Sequence, residues 1–127
     1  MAIRSIRLPQ QDRDSLIRLK TKTGIGQWNI LCRWALAVSL KEQTSLTALQ
    51  LPGDSNVEMT WEVFGGEFSE IWLAALRERC QRDGLPTDDQ TLMQQLRLHM
   101  HRGVGYLSAP GHIKNLADLS GLAQAKR

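Results

Sequence analysis

The 127-residue chain has little of what marks secreted, membrane-spanning or metal-stapled proteins. Its two cysteines, Cys32 and Cys80, lie far apart in apolar helical patterns and fit neither a redox CxxC pair nor a zinc ribbon, so both are expected to be buried, reduced thiols. No apolar run approaches the ~20 residues that a membrane-spanning helix needs. The N-terminal Met-Ala-Ile-Arg-Ser-Ile-Arg also lacks the apolar stretch of a secretory signal, and the expected setting is the cytoplasm. Internal repeats and low-complexity tracts are absent. The catalytic inventory is equally thin. His99 and His101 are two residues apart, so on a helix they diverge rather than converge on one ion. Glu58, Glu62, Glu67 and Glu70 crowd together without a D-x-D or histidine partner and read as a solvated face. No nucleophile elbow accompanies any serine. No catalytic residue, metal site or cofactor is expected.

What the chain does have is enough apolar material for one core. At 42% hydrophobic residues and this length, a single domain over residues 1–127 is expected, without need of disulfides or metal. The net charge of +3 is unevenly spread: residues 1–43 hold eight basic and three acidic side chains, residues 44–96 three and nine, and residues 97–127 five and one. Basic ends around an acidic middle suit a chain that offers one face to a polyanion and another to a basic partner or a second subunit.

Periodicity gives a mainly helical reading with two short extended segments. Residues 3–8 read as a strand closed by Pro9. A helix over Gln10 to Thr23 follows, ended by Gly24. The next helix should run from Gly26 or Gln27 to about Glu42 and is apolar on nearly every side, from Trp28 to Leu40. In so small a chain that suggests cover by another subunit. Asn29 and Arg33 interrupt it four residues apart, on one face. Arg33 is expected to be a structural group bonded to carboxylates of the acidic middle, or else a phosphate contact. Residues 43–56, with the turn signal Pro52-Gly53-Asp54, read as a connection. Val57, Met59, Trp61 and Val63 alternate with polar residues as on a strand, which Gly65-Gly66 breaks. A helix then reaches Gly84, stopped by that glycine. The spacing Thr87 to Gln90 suggests a capping box for a last helix ending near Arg102 at the stretch Gly103-Val104-Gly105-Tyr106. Leucines from Ile113 to Leu122 hint at a short tail helix.

Strand, proline, helix, glycine turn and second helix within some forty residues resemble a ribbon-helix-helix DNA-binding unit, in which two chains pair their first strands. On such a ribbon Ile3, Ser5 and Arg7 would form the reading face, and Ile3 rewards only a thymine methyl. The segment Lys20-Thr21-Lys22-Thr23-Gly24-Ile25-Gly26 points more directly to phosphate. Glycines let the backbone approach closely, the amides at Gly26 and Gln27 open a helix, and Lys20 and Lys22 add charge. It lacks a nucleotide-binding P-loop pattern. His99, His101, Arg102 and Tyr106 offer a second candidate anion patch. Trp61 and Phe64 are expected in the core; exposed, they would dock a partner.

Three blocks carry a wider resemblance: Thr23-Gly24-Ile25-Gly26 through Asn29-Ile30-Leu31-Cys32-Arg33-Trp34-Ala35 to Ser39-Leu40, then Thr60-Trp61-Glu62-Val63-Phe64-Gly65-Gly66-Glu67, then His99 through Leu107. In this order, over most of the chain, they resemble the DNA sulfur modification protein family DndE. The resemblance implies a small, non-catalytic component of bacterial DNA backbone phosphorothioation. It also implies a helical homo-oligomer, a tetramer, that binds DNA with a preference for nicked duplex. The chemistry would then lie with partners, the cysteine desulfurase and the DndC and DndD components. On this reading residues 1–43 form the DNA-binding half and residues 57–127 the oligomer and partner half. Lys20, Lys22, Gly24, Gly26 and Gln27 would grip the backbone, with Arg7 and Arg102 as secondary contacts. A protein adaptor with little DNA binding and a ribbon-helix-helix repressor are the alternatives.

Overall fold

The computed structural model describes residues 5–44, 46, 54–109, 113, 115–118 and 121. Strand β1 (Ser5–Pro9) leads directly into helix α1 (Gln10–Thr23), and α2 (Trp28–Lys41) follows. Then come β2 (Asp54–Thr60), the short α3 (Trp61–Gly65), a 3-10 turn (Gly66–Phe68), α4 (Ser69–Arg82) and the long α5 (Asp89–Ser108). The chain is mainly helical, as the periodicity predicts. One apolar core runs from Ile6 and Leu8 through Leu31 and Leu36 of α2, Phe64 of α3 and Leu76 of α4 to Leu96 and Met100 of α5. Trp61 and Phe64 lie in it, with ring centroids 5.5 Å apart, which settles them as core. No described helix is long and apolar enough to cross a membrane.

The first strand finds its partner within the chain. β1 pairs antiparallel with β2, setting Ser5 opposite Thr60, Ile6 opposite Met59 and Arg7 opposite Glu58, with an irregularity before Pro9 meets Asp54. Alternation buries Ile6 and Leu8 and leaves Ser5 and Arg7 on the outer face. There the hydroxyl of Ser5 and the guanidinium of Arg7 both donate to the Glu58 carboxylate. One edge of β1 is thus taken by β2 of the same chain. Ile3, the other residue of the ribbon-helix-helix reading face, and the Pro52-Gly53 turn lie outside the described residues.

Four expected boundaries move: β2 begins at Asp54, inside the expected connection, because its start pairs with Pro9 of β1, and the other three move for local reasons. The mid-chain strand stops at Thr60 instead of continuing through Val63, because the Thr60 hydroxyl accepts from the Val63 amide at 3.1 Å and caps α3. Trp61 consequently turns inward and Val63 outward. The last helix is capped by Asp88, which takes both the amide and the hydroxyl of Thr91, not by the Thr87–Gln90 pair. Most importantly, α5 runs straight through Gly103 and Gly105 to Ser108. Gly103 is no stop signal: a Cβ there would lie 1.8 Å from the carbonyl oxygen of Ala35. It is the point at which α5 crosses the backbone of α2. By contrast Gly84 does end its helix as expected, in the left-handed conformation, with Leu85 N–H on Cys80 O and Gly84 N–H on Gln81 O. In the tail, residues 116–118 are helical, and most of the remainder lies outside the described residues.

Helix α2 is less enclosed than its composition suggests. Leu31, Cys32, Ala35 and Leu36 are fully buried against the core. On its other side Ile30, Trp34 and Ala37 join Trp72 of α4 and Arg33 around a shallow apolar recess of about 300 Å³. Ile71 and Phe68 are exposed on and just ahead of α4.

Candidate nucleic-acid interface

Lys20 and Lys22 occupy the last turn of α1, where cations are favoured by the carbonyl end of the helix, and both side chains are exposed. Gly24 ends α1 with φ 77°, its amide donating to Lys20 O at 2.9 Å. That conformation suits glycine and turns the chain sharply into Gly26 and Gln27. Gly26 and Gln27 are exposed, and Gln27 is the first residue before α2. Lys20 Cε lies 3.9 Å from where a Gly26 side chain would begin, so the lysine stem passes over the glycine turn. Lys20 and the glycine turn therefore share one small surface, whereas Lys22, two residues on, leaves α1 from another face. Arg18, also exposed, stands one helical turn before Lys22 on the same face of α1.

The two arginines named as secondary contacts are placed differently. Arg7 lies on the outer face of the sheet, bonded to Glu58 and to Ser55 O. Arg102 is tied inward: its Nε donates to Ser39 Oγ at 2.9 Å, Nη2 to Ser39 O and Nη1 to Thr44 O at 2.6 Å. Its role in the fold is to fasten the chain leaving α2 to α5. Arg79 of α4 does the same from the other side, with donors on Leu40 O, Thr44 O and Asp83, and is itself buried. A single arginine among Leu73, Leu76 and Cys80 on the inner face of α4 is the signal that points to it. Arg33 and Asn29 act on one face as their spacing predicts. Their partners, however, are main-chain carbonyls rather than carboxylates: both donate to Val63 O at 3.1 Å, and Arg33 Nε also donates to Phe64 O. They close the carbonyl end of α3, and Gly66 leaves room for the guanidinium, since a Cβ there would meet Arg33 Nη2 at 2.9 Å.

His99 and His101 point to different elements. His99 is fully buried on Ser39, Nδ1 to Oγ 2.7 Å. Arg102 donates to the same oxygen, and the imidazole tautomer sets whether Nδ1 accepts from the serine hydroxyl or donates to it. Burial, and then the charges of Arg79 and Arg102, push the His99 pKa down to about 4. His101 instead meets Asp12 of α1, Nδ1 to Oδ1 2.7 Å, and this bond raises its pKa against the effect of burial. Asp12, His101, Arg18, Arg102 and Tyr106 line a recess of about 620 Å³ between α1 and α5. Burial drives the Cys32 thiol up to about 12, and Cys80 is raised as well, mainly by burial. Both are buried free thiols, as expected.

Comparison with known proteins follows this geometry. The family model described as "DNA sulphur modification protein DndE" matches residues 5–115. Among solved structures, the crystal structure of DndE from Escherichia coli B7A, involved in DNA phosphorothioation modification, superposes with a TM-score of 0.69 at 23% identity. The alignment covers 84% of this chain and 98% of that one. A comparison with curated proteins found no match.

Proposed function

The chain belongs to the family of the DNA sulphur modification protein DndE, and on that premise we propose that it is the non-catalytic, DNA-binding accessory of a phosphorothioation system. Membership implies a role in DNA phosphorothioation modification. The observation that carries the finer reading is the exposed glycine turn after α1, where Lys20 lies over Gly26 between the exposed Gly24 and Gln27, with Lys22 exposed in the same last turn of the helix. Such a surface neutralises phosphates and reads no base edges, so it serves a protein that grips duplex of any sequence and prefers a nick, where the backbone bends freely. In this reading the protein works in the cytoplasm as a homo-oligomer, a tetramer, and presents DNA to the DndC and DndD components. The apolar recess around Trp34, Ala37 and Trp72 is the self-association surface.

A protein adaptor with weak DNA contact is the second reading, favoured by the exposed Glu62, Glu67 and Glu70 beside Phe68 and Ile71. Binding to intact and singly nicked duplexes of one random sequence, across a salt series, separates the two. Each neutralised phosphate contributes about −0.9 to the log–log slope, so a Lys20→Ala/Lys22→Ala variant should lose roughly two such units. Tighter binding to the nicked duplex with that loss supports the accessory role. No binding at moderate salt leaves the adaptor.

A further inference from the structure

We propose that the outer face of the corner between α3 and α4 is a docking surface for an amphipathic helical segment of a partner protein, one that carries lysines or arginines beside an apolar stripe. Among the described residues six large apolar side chains are exposed. The three most exposed, Val63 at 52%, Phe68 at 54% and Ile71 at 64%, all fall within residues 63–71. Local structure explains why they face outward. The Thr60 cap turns Trp61 and Phe64 into the core, and Phe64 packs on Trp72 with ring centroids 5.9 Å apart, so Val63 and Phe68 are left outside. On α4 the core takes Leu73, Leu76 and Cys80, while Ile71 and Ala74 stay exposed.

The corner is held firmly, and its charge names the occupant. Asn29 and Arg33 both donate to Val63 O, and a Cβ on Gly65 would lie 2.6 Å from Ser69 Cβ, so the end of α3 sits directly on the start of α4. Glu62, Glu67 and Glu70 are exposed among the apolar residues, and their carboxylates make no hydrogen bond or ion pair among the described residues. Other exposed carboxylates have a cation: Asp14 has Arg13, Glu58 has Arg7 and Glu78 has Arg82. The amide end of α4 favours Glu70 where it stands, but gives no reason for Phe68 and Ile71 to be bare beside it. Apolar groups within a polar rim are the form of a protein-binding surface. Unpaired carboxylates repel nucleic-acid phosphate and anionic lipid headgroups, which leaves a basic protein segment as the complement.

The two features act differently. Exposed ion pairs add little affinity, so the apolar side chains carry most of it, and the glutamates set orientation and encounter rate. A helix suits the patch because one face presents apolar anchors three and four residues apart, with cations on its flanks. The chain as a whole carries +3, so a basic segment is repelled at long range, and a preference for it reports the local patch. The inference involves neither DNA nor the glycine turn. It goes beyond the adaptor reading by giving the partner a chemistry, and it holds equally for a DNA-binding accessory.

The test is fluorescence anisotropy of labelled peptides titrated with the full chain. One peptide is an amphipathic Leu–Lys helix of about five turns. The second is its Leu–Glu counterpart, and the third has the Leu–Lys composition shuffled so that the leucines share no face. The Leu–Lys helix should bind saturably and about ten-fold or more tighter than either other peptide. Ile71→Gln and Phe68→Gln, exposed changes that leave the fold intact, should each weaken it roughly ten-fold, the scale of burying one large apolar side chain. Glu67→Gln/Glu70→Gln should weaken it about three-fold at low salt and flatten its salt dependence. Absence of saturable binding, equal binding of the Leu–Lys and Leu–Glu helices, or affinity unchanged in Ile71→Gln and Phe68→Gln overturns the proposal. So does a lower mass of Ile71→Gln in light scattering, which would give the patch to a second copy of the chain. With no DNA present, the outcome is independent of what Lys20→Ala/Lys22→Ala does to duplex binding.

Discussion

Replacing Gly103 by alanine should sharply lower the melting temperature, while the same change two residues later, at Gly105, should raise it. The added carbon at Gly103 would lie 1.8 Å from Ala35 O, 2.4 Å from its carbonyl carbon and 2.7 Å from its Cα. Carbon contacts are comfortable only near ~3.5–4.0 Å. The obstacle is backbone in the middle of a packed helix, so no rotamer change relieves it. Helices α2 and α5 must separate, and Leu31, Leu36, Met100 and Val104 loosen with them. Overpacking costs roughly 1–3 kcal/mol where side chains can give way. Here they cannot, and a loss of about 3 kcal/mol or more is expected even after the gain of up to ~1 kcal/mol in helix propensity. Against a typical total of ~5–15 kcal/mol, that lowers Tm by about 10 °C or more. Around Gly105, exposed on the same helix, no atom lies within 4 Å of an added Cβ, so alanine there collects only the propensity gain of about 0.5–1 kcal/mol. Thermal and urea unfolding followed by circular dichroism measure both. A Gly103→Ala variant as stable as the parent would show that α5 does not cross α2 at Ala35. A destabilised Gly105→Ala would show that the helix ends before it.

Two further outcomes follow from the buried histidine and the apolar recess. His99 has a folded pKa near 4 against about 6.5 unfolded, so the unfolded chain holds the extra proton between those values. Its contribution is therefore complete above pH ~6.5 and falls as the pH drops toward 4, by about 3 kcal/mol. His101, raised by Asp12, contributes in the opposite sense, present below its unfolded pKa and lost as pH rises through the folded one. Proton NMR titration with urea unfolding from pH 4.5 to 8 separates them, and a His99 resonance that titrates near 6.5 refutes the burial argument. Ala37→Glu places a charge in the recess beside Trp34 and Trp72 and, on the proposed self-association through this surface, should lower the mass in light scattering with little change in Tm; an unchanged mass excludes this surface from self-association.

The elements that were legible in the sequence are those whose ends are punctuated locally. Pro9 and Gly24 bracket α1, and Gly84 stops α4 through bonds made within its own last turn. What misleads is a local signal with a distant cause. Alternation from Val57 carries on through Trp61 and Val63, and four residues cannot distinguish a period of two from one of 3.6; the Thr60 hydroxyl decides it by capping α3. Gly103-Val104-Gly105 has the composition of a turn, yet Gly103 is small because α2 passes beside it. The antiparallel pairing of β1 with β2 joins segments some fifty residues apart, and alternation alone does not say whether the partner strand belongs to the same chain.

The site was legible to the extent that its charge is free. Counting charges makes both ends of the chain basic, but a guanidinium spent on carbonyls has few N–H groups left for phosphate. Arg33 is committed to Val63 and Phe64, Arg102 to Ser39 and Thr44, Arg97 to Arg7 O, and Arg79 to the chain after α2. Their charge still adds to the long-range field, which decays within about 8–10 Å at ordinary salt. Among the described residues Arg18, Lys20 and Lys22 remain exposed on α1, and Lys41, Arg77 and Arg82 elsewhere. Arginine holds the fold because its planar fork matches several carbonyls at once, and lysine is left at the surface as a mobile point charge. Two such lysines and a glycine turn would suit a phosphate backbone of any sequence, and the proposed DNA-binding role rests on that fit.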